Sequence, residues 1–175
     1  PTVPAARYRA GTEPLVGQVV GGRYRMLSLL GAGGMGTVWF AEHVRLRQAV
    51  AVKVMNPAVA EDAVQRTRFE REALALSRMQ HPNIVRIHDF GMEPDVGLYL
   101  AMEYLEGRDL ASDIRLKGAL PVAFVVHVAR QVCRGLMAAH AQGVVHRDLK
   151  PGNVFLTESE GIRDIAKVLD FGIAK

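Results

Sequence analysis

The segment HRDLKPGN, His146 to Asn153, constrains this chain more than any other stretch. Its fixed positions follow an H-R-D-L-x-x-x-N spacing, which chance produces at about one start in three million if each residue type is taken at roughly one in twenty. A turn of these identities by accident is not credible. Asp148 can orient a hydroxyl and accept its proton, Asn153 can ligate a metal from the same loop, and Lys150 adds a cation where a transferring phosphoryl group builds charge. His146 reads as a packed scaffold residue. Arg147, beside the acid, reads as an arginine awaiting an anionic partner such as a phosphorylated loop.

Four further stretches carry chemistry of the same kind. GAGGMGTV places Gly31, Gly33, Gly36 and Val38 in a G-x-G-x-x-G-x-V arrangement between two strand-like runs, where glycines let the backbone approach phosphate oxygens and offer N–H donors. A lone match of this kind arises in roughly 5% of chains this long at ordinary glycine usage, so it gains meaning only in company. The dinucleotide-binding alternative fails, because the glycines precede a strand and no βαβ unit surrounds them. In VAVKVM, alternation turns Val50, Val52 and Val54 to one face and Ala51, Lys53 and Met55 to the other. Lys53 then needs a partner or a ligand; the plainer alternative is an edge lysine reaching solvent. Glu72 sits inside the apolar stripe of Phe69, Leu76 and Met79, a place carboxylates seldom occupy unpaired, and is the residue expected to meet Lys53. Asp170 opens an Asp-Phe-Gly turn and adds a second metal ligand to Asn153.

Along the chain, residues 1–14 hold three prolines and read as an extended leader, which as a segment runs to residue 22. Strand-like runs follow at RYRMLSLL, GTVWFAEH and AVAVKVM, then a helix over EDAVQRTRFEREALALSRM, then strands near Arg86 to Phe90 and Leu98 to Glu103. A second helix is predicted over Pro121 to Gln142, with Val125, Ala129, Val132 and Leu136 as its buried face. Strands at Val154 to Thr157 and near Ala166 to Leu169 complete the pattern. A 49% hydrophobic composition over 175 residues supports a core. The 22 Lys and Arg against 18 Asp and Glu are scattered without a stripe, so no nucleic acid is expected as partner. The single Cys133 excludes a disulfide framework and reads as a buried thiol in a cytoplasmic protein. No uncharged run of about 18 residues marks a membrane segment, though an anchor outside this sequence is compatible with it.

Together these stretches resemble the bacterial, eukaryotic-like serine/threonine protein kinases, from about Val20 to Lys175. The resemblance implies an α+β, bilobal protein-kinase-like fold: a leader over 1–22, an N-lobe and hinge over 23–105 with a five-stranded antiparallel sheet and one helix, and a partial, mainly helical C-lobe over 106–175. It implies ATP and Mg2+ as cofactors, with Mn2+ as an alternative metal, and protein serine and threonine hydroxyls as substrates. By its motifs Asp148, Lys150, Lys53 and Glu72 are the catalytic set, and Asn153 and Asp170 the metal ligands. Nucleotide contacts fall on Gly31, Ala32, Gly33, Gly34, Met35 and Gly36 of the glycine loop. Val38, Ala51 and Phe155 sandwich the base, Met102 is the gatekeeper, and Glu103 and Leu105 offer hinge backbone groups. Asp109 takes a ribose contact, and Ile87, Leu76, Phe171 and His146 form a stack. The family continues past the Asp-Phe-Gly turn with an activation segment and further helices. The 175 residues alone are therefore expected to bind nucleotide without phosphorylating proteins at a rate typical of kinases, the competing reading being a kinase-derived ATP-binding or regulatory module.

Overall fold

The computed structural model describes residues 15–159 and 161–171. The leader at 1–14 and the turn glycine Gly172 lie outside the described residues. The chain divides into two units, Pro1–Asp62 with Asp89–Tyr104, and Ala63–His88 with Leu105–Lys175.

The first unit is built on a sheet of β1 (Val19–Val20), β2 (Tyr24–Gly33), β3 (Gly36–His43), β4 (Ala49–Met55), β5 (Ile87–Glu93) and β6 (Gly97–Glu103), in the order β1-β2-β3-β4-β6-β5. The expected five strands are present, and β1 is an addition. It pairs antiparallel with β2, and Val20 is 1% exposed, so Val19 and Val20, which fall within the expected leader, form an edge strand of the sheet. The reason is local: Gly21 and Gly22, at φ 61° and 63°, turn the chain back so that Val19 faces Arg25 and Val20 faces Tyr24. One face of the sheet carries Met26, Trp39, Ala41, Val50, Val52, Val54, Tyr99 and Ala101 as a core, with Val52 and Ala101 fully buried. Each large side chain there contributes about 1.5–3 kcal/mol. Asp89 accepts from Arg23 at 2.9 Å and from the Tyr24 hydroxyl at 3.3 Å. Burial, and then the Asp89 carboxylate, push the Tyr24 hydroxyl up to about 12. A short helix α1 (Pro57–Glu61) follows β4, capped by Asn56, whose side chain accepts from the Ala58 N–H, with proline at the start of the helix.

The second unit begins with α2 (Ala63–Ser77), whose buried residues are Phe69, Glu72, Ala73 and Leu76. A three-stranded antiparallel sheet follows from β7 (Gly107–Asp109), β8 (Val154–Ser159) and β9 (Ile162–Val168), in that order. Between β7 and β8 lie α3 (Leu110–Lys117) and α4 (Val122–Ala141). The stretch 63–88 groups with this second unit, whose other part runs from Leu105. Main-chain bonds show why. Val85 N–H donates to Val168 O at 3.0 Å and Val168 N–H donates to Asn83 O at 2.9 Å, zipping the segment after α2 onto β9. Asn83 Nδ2 also donates to Gln131 Oε1 and to Ala166 O, each at 2.9 Å, tying α4 into the same seam.

That seam corrects the expected buried face of α4. The buried residues are Val128, Val132, Gly135 and Ala139; Val125 and Ala129 are exposed and Leu136 is half-buried. The helix is apolar on two sides, and the small residues choose between them. A Cβ on Gly135 would lie 2.8 Å from Asn83 O, so only a glycine lets the chain approach this closely. The other side leaves Val122 at 79% and Met137 at 71% exposure, and Cys133, expected to be buried, is exposed there. Although α4 has the length and apolar composition to span a bilayer, it also carries Arg130, Arg134 and the Gln131 seam.

Candidate active site

In the first unit, strand register gathers the candidates onto one face. Val38 pairs with Lys53 and Phe40 with Ala51 across β3 and β4; Ala51 pairs with Met102 and Lys53 with Leu100 across β4 and β6. Val38, Ala51, Lys53 and Met102 therefore stand on the face opposite the Val50, Val52, Val54 core. Lys53 is 7% exposed, which a mere solvent-seeking edge lysine is not. Glu103 follows on β6 in register with Val50, and Phe40 meets the Tyr104 ring at 4.7 Å.

The glycine loop is the β2–β3 hairpin, closed by the Gly33–Gly36 pair, with Ala32 opposite Thr37. Its glycines divide into two kinds. Gly36 has φ 138°, and a Cβ there would sit 2.0 Å from Val54 O, so the fold itself requires glycine. At Gly31, Gly33 and Gly34 a Cβ would meet nothing within 4 Å. Packing does not demand glycine at those three, and a bare backbone facing open space is what a phosphate cradle needs. Met35 O accepts from Asn56 N–H at 3.1 Å, anchoring the hairpin tip to the end of β4.

In the second unit, the loop from His146 to Asn153 is held by hydrogen bonds. Arg147 adopts φ 59°, and Asp148 N–H donates to His146 O at 2.8 Å, a tight turn that swings the Asp148 carboxylate out of the chain's path. Lys150 Nζ donates to Asp148 Oδ2 at 2.8 Å. Asn153 closes a 3-10 turn (Pro151–Asn153), and its Nδ2 donates to Asp148 O at 2.8 Å, which turns its amide oxygen away from that carbonyl. Leu169 is clamped from both sides: its N–H donates to Asn153 O at 2.8 Å, and its carbonyl lies 2.8 Å from His146 Nε2. With Asp148 N–H directed at His146 Nδ1 (3.3 Å), the imidazole carries its proton on Nε2 and donates it to Leu169. The clamp brings Asp170, at φ 49°, beside Asn153, from which it is remote in sequence. His146 is 3% exposed and its ring lies 4.8 Å from that of Phe171; Leu76 and Ile87 are buried in the same unit.

The structure also supplies partners that the sequence did not reveal. Glu72 is buried as the stripe implied, and Arg147 is set against it, Nη1 to Oε1 at 3.1 Å. Lys53 belongs to the first unit and Glu72 to the second. Asp109 and Phe155, both nucleotide candidates, are cross-strand partners on β7 and β8, and Leu105 leads into this part of the chain. Asp109 caps α3: its Oδ1 accepts from Ser112 N–H at 2.8 Å and its Oδ2 from the Ser112 hydroxyl at 2.6 Å. Burial pushes its carboxyl up, but the two Ser112 bonds and the charge of Arg115 outweigh this and hold it below the usual range. An Asp before an apolar position, with Ser three residues on, is a legible capping signal.

Known proteins are similar to this chain. The protein kinase domain family matches residues 24–175. The chain is 42% identical over 164 residues to the serine/threonine-protein kinase pkn3 of Myxococcus xanthus, covering 94% of this chain and 30% of that protein. It is 44% identical over 153 residues to PknE of Mycobacterium tuberculosis, covering 87% of this chain and 26% of the relative. Among solved structures, the Mycobacterium tuberculosis PknI kinase domain superposes with a TM-score of 0.80 at 37% identity, over 92% of this chain and 64% of that one. Rad53 1-466 in complex with AMP-PNP superposes at 0.73 with 27% identity, over 86% of this chain and 38% of that one. The chain thus spans less than a third of these curated relatives and about two thirds of the solved kinase domain.

Proposed function

The chain belongs to the protein kinase family, among its bacterial serine/threonine members, and from that premise we propose that it transfers the terminal phosphoryl group of ATP to serine and threonine hydroxyls of proteins. The observation that carries the proposal is the double clamp on Leu169, which sets Asp170 beside Asn153 in the same loop system as Asp148.

The glycine-loop amides at Gly31, Gly33 and Gly34 donate to phosphate oxygens, and Lys53 orients the phosphates with its ammonium. Asn153 and Asp170 offer a neutral and an anionic oxygen, the hard donors that magnesium takes alongside phosphate oxygens. Magnesium, when held there, neutralises charge on the phosphate chain. Asp148 accepts the hydroxyl proton, and Lys150, already 2.8 Å from that carboxylate, stabilises charge on the group in transfer. On the first unit, Val38 and Ala51 take the base, with Met102 and Glu103 at its edge.

The alternative reading is an ATP-binding module without transfer. The two are separated by following phosphate from γ-labelled Mg-ATP to a basic protein. The assay is run with these 175 residues and with a form extended to full kinase-domain length by the corresponding part of the PknI domain. Label on serine and threonine from the extended form, abolished by Asp148→Asn, is the expected result. Nucleotide binding without any transfer from a folded extended form would establish the module instead.

A further inference from the structure

Asp109 occupies the position at which a ribose contact is expected, yet both its carboxylate oxygens are engaged inside its own unit. Oδ1 takes the Ser112 N–H at 2.8 Å and Oδ2 the Ser112 hydroxyl at 2.6 Å. The Ser112 oxygen accepts in turn from Arg115 Nη2 at 2.7 Å. A hydroxyl has one proton to give; here it goes to Asp109, and the guanidinium behind it strengthens that bond. The backbone of Asp109, at φ −78° and ψ 151°, is that of a residue entering a helix. Its neighbour is pinned as well. Arg108 Nε donates to Asp113 at 2.6 Å, Lys117 adds a bond at 3.1 Å, and Asp113 is 1% exposed. Two successive residues of β7 therefore fasten α3, one through its cap and one through its buried acid, while Asp109 stands opposite Phe155 on β8.

We propose that Asp109 is a positioning residue for the nucleotide and not its ribose ligand: with Ser112 and Arg115 it closes the start of α3 and so fixes β7 against β8 at Phe155. The inference rests on the nucleotide-binding reading above. It separates two roles that a motif comparison merges. A ribose ligand discriminates the 2′-hydroxyl; a cap does not, and any residue that caps should replace it.

The test is calorimetric titration of this chain and its Asp109→Ala and Asp109→Ser variants with Mg-ATP and Mg-2′-deoxy-ATP, alongside amide exchange across α3. Alanine removes the cap and should weaken both nucleotides by one common factor, about fivefold. Serine, itself a good cap, should restore both to within about twofold of the parent. The Ser112 amide should exchange faster in the alanine variant and return to slow exchange with serine. Weakening of ATP alone, leaving 2′-deoxy-ATP unchanged, would make Asp109 the ribose ligand and overturn the proposal. Unchanged α3 exchange in the alanine variant would overturn it equally. If the parent protein binds neither nucleotide, the nucleotide-binding reading on which the inference rests fails for these 175 residues, while the exchange data still decide whether Asp109 closes α3.

Discussion

The two units organise their functional residues by different means. In the first, Val38, Ala51, Lys53 and Met102 come together because strands alternate and their registers align, so each residue's place follows from its neighbours two positions away. In the second, Asp148, Asn153 and Asp170 are irregular backbone held by Asn153, His146 and the two ends of Leu169. A sheet face tolerates the loss of any one member, because the hydrogen-bond ladder persists. A clamped loop has few restraints, and each one sets the position of a candidate site residue. Lesions in the first unit should therefore sort cleanly into structural and chemical ones, whereas in the second the same residues serve both ends.

The largest effect expected in the first unit is chemical. Lys53→Met, in a chain extended to full domain length, should lower phosphotransfer by at least about a hundredfold, roughly 3 kcal/mol of barrier, with the thermal midpoint retained. A matching fall in stability would show that the lysine supports the sheet, and the clean sorting would fail.

The glycine loop sharpens the comparison within a single hairpin. Gly36→Ala forces a side chain onto Val54 O at an unfavourable φ and should cost about 2–3 kcal/mol in denaturant unfolding. Gly34→Ala meets open space and should change stability by less than about 0.5 kcal/mol while weakening Mg-ATP in titration. Equal stability losses at the two positions would contradict the division between packing and phosphate-facing glycines.

A smaller effect belongs to the second unit and depends on pH. The hydrogen bond from Arg108, against the opposing effect of burial and with help from Lys117, holds the Asp113 carboxyl below the usual carboxylate range. A pKa depressed on folding means stability that is complete above the unfolded value, near 3.9, and lost as pH falls through the folded value. Asp113→Asn should therefore cost about 1–2 kcal/mol at neutral pH, with the gap to the parent narrowing in acid. A gap that stays constant from pH 7 down to pH 2 would show that the carboxylate's charge is not what is lost.

How much of this was legible in the sequence follows the same divide. The strands of the first unit and the face carrying Lys53 could be read from alternation, and the catalytic loop from residue identities. The buried side of α4 could not, since Val125 and Val128 are equally apolar and the choice is made by Gly135 under Asn83, a contact between distant segments. For the same reason Cys133 reads as buried but is exposed. The two residues of β1 are too few to show a period. Glu72 was recognisable as a carboxylate in need of a cation, but its ion pair with Arg147, 75 residues away in the chain, left no local signal. The cap at Asp109 was written plainly in Asp-Leu-Ala-Ser and hidden only by the interest of its position.

The most direct test of the division of labour is to measure Mg-ATP affinity and phosphate turnover side by side in Asp148→Asn and Asp170→Ala, in the extended form. The account predicts that Asp148→Asn abolishes turnover and leaves Mg-ATP affinity within about twofold of the parent, because its hydroxyl partner belongs to the protein substrate. Asp170→Ala should lose turnover and Mg-ATP affinity together. Comparable losses of nucleotide affinity in both variants would contradict the assignment of Asp148 as proton acceptor and of Asp170 as metal ligand.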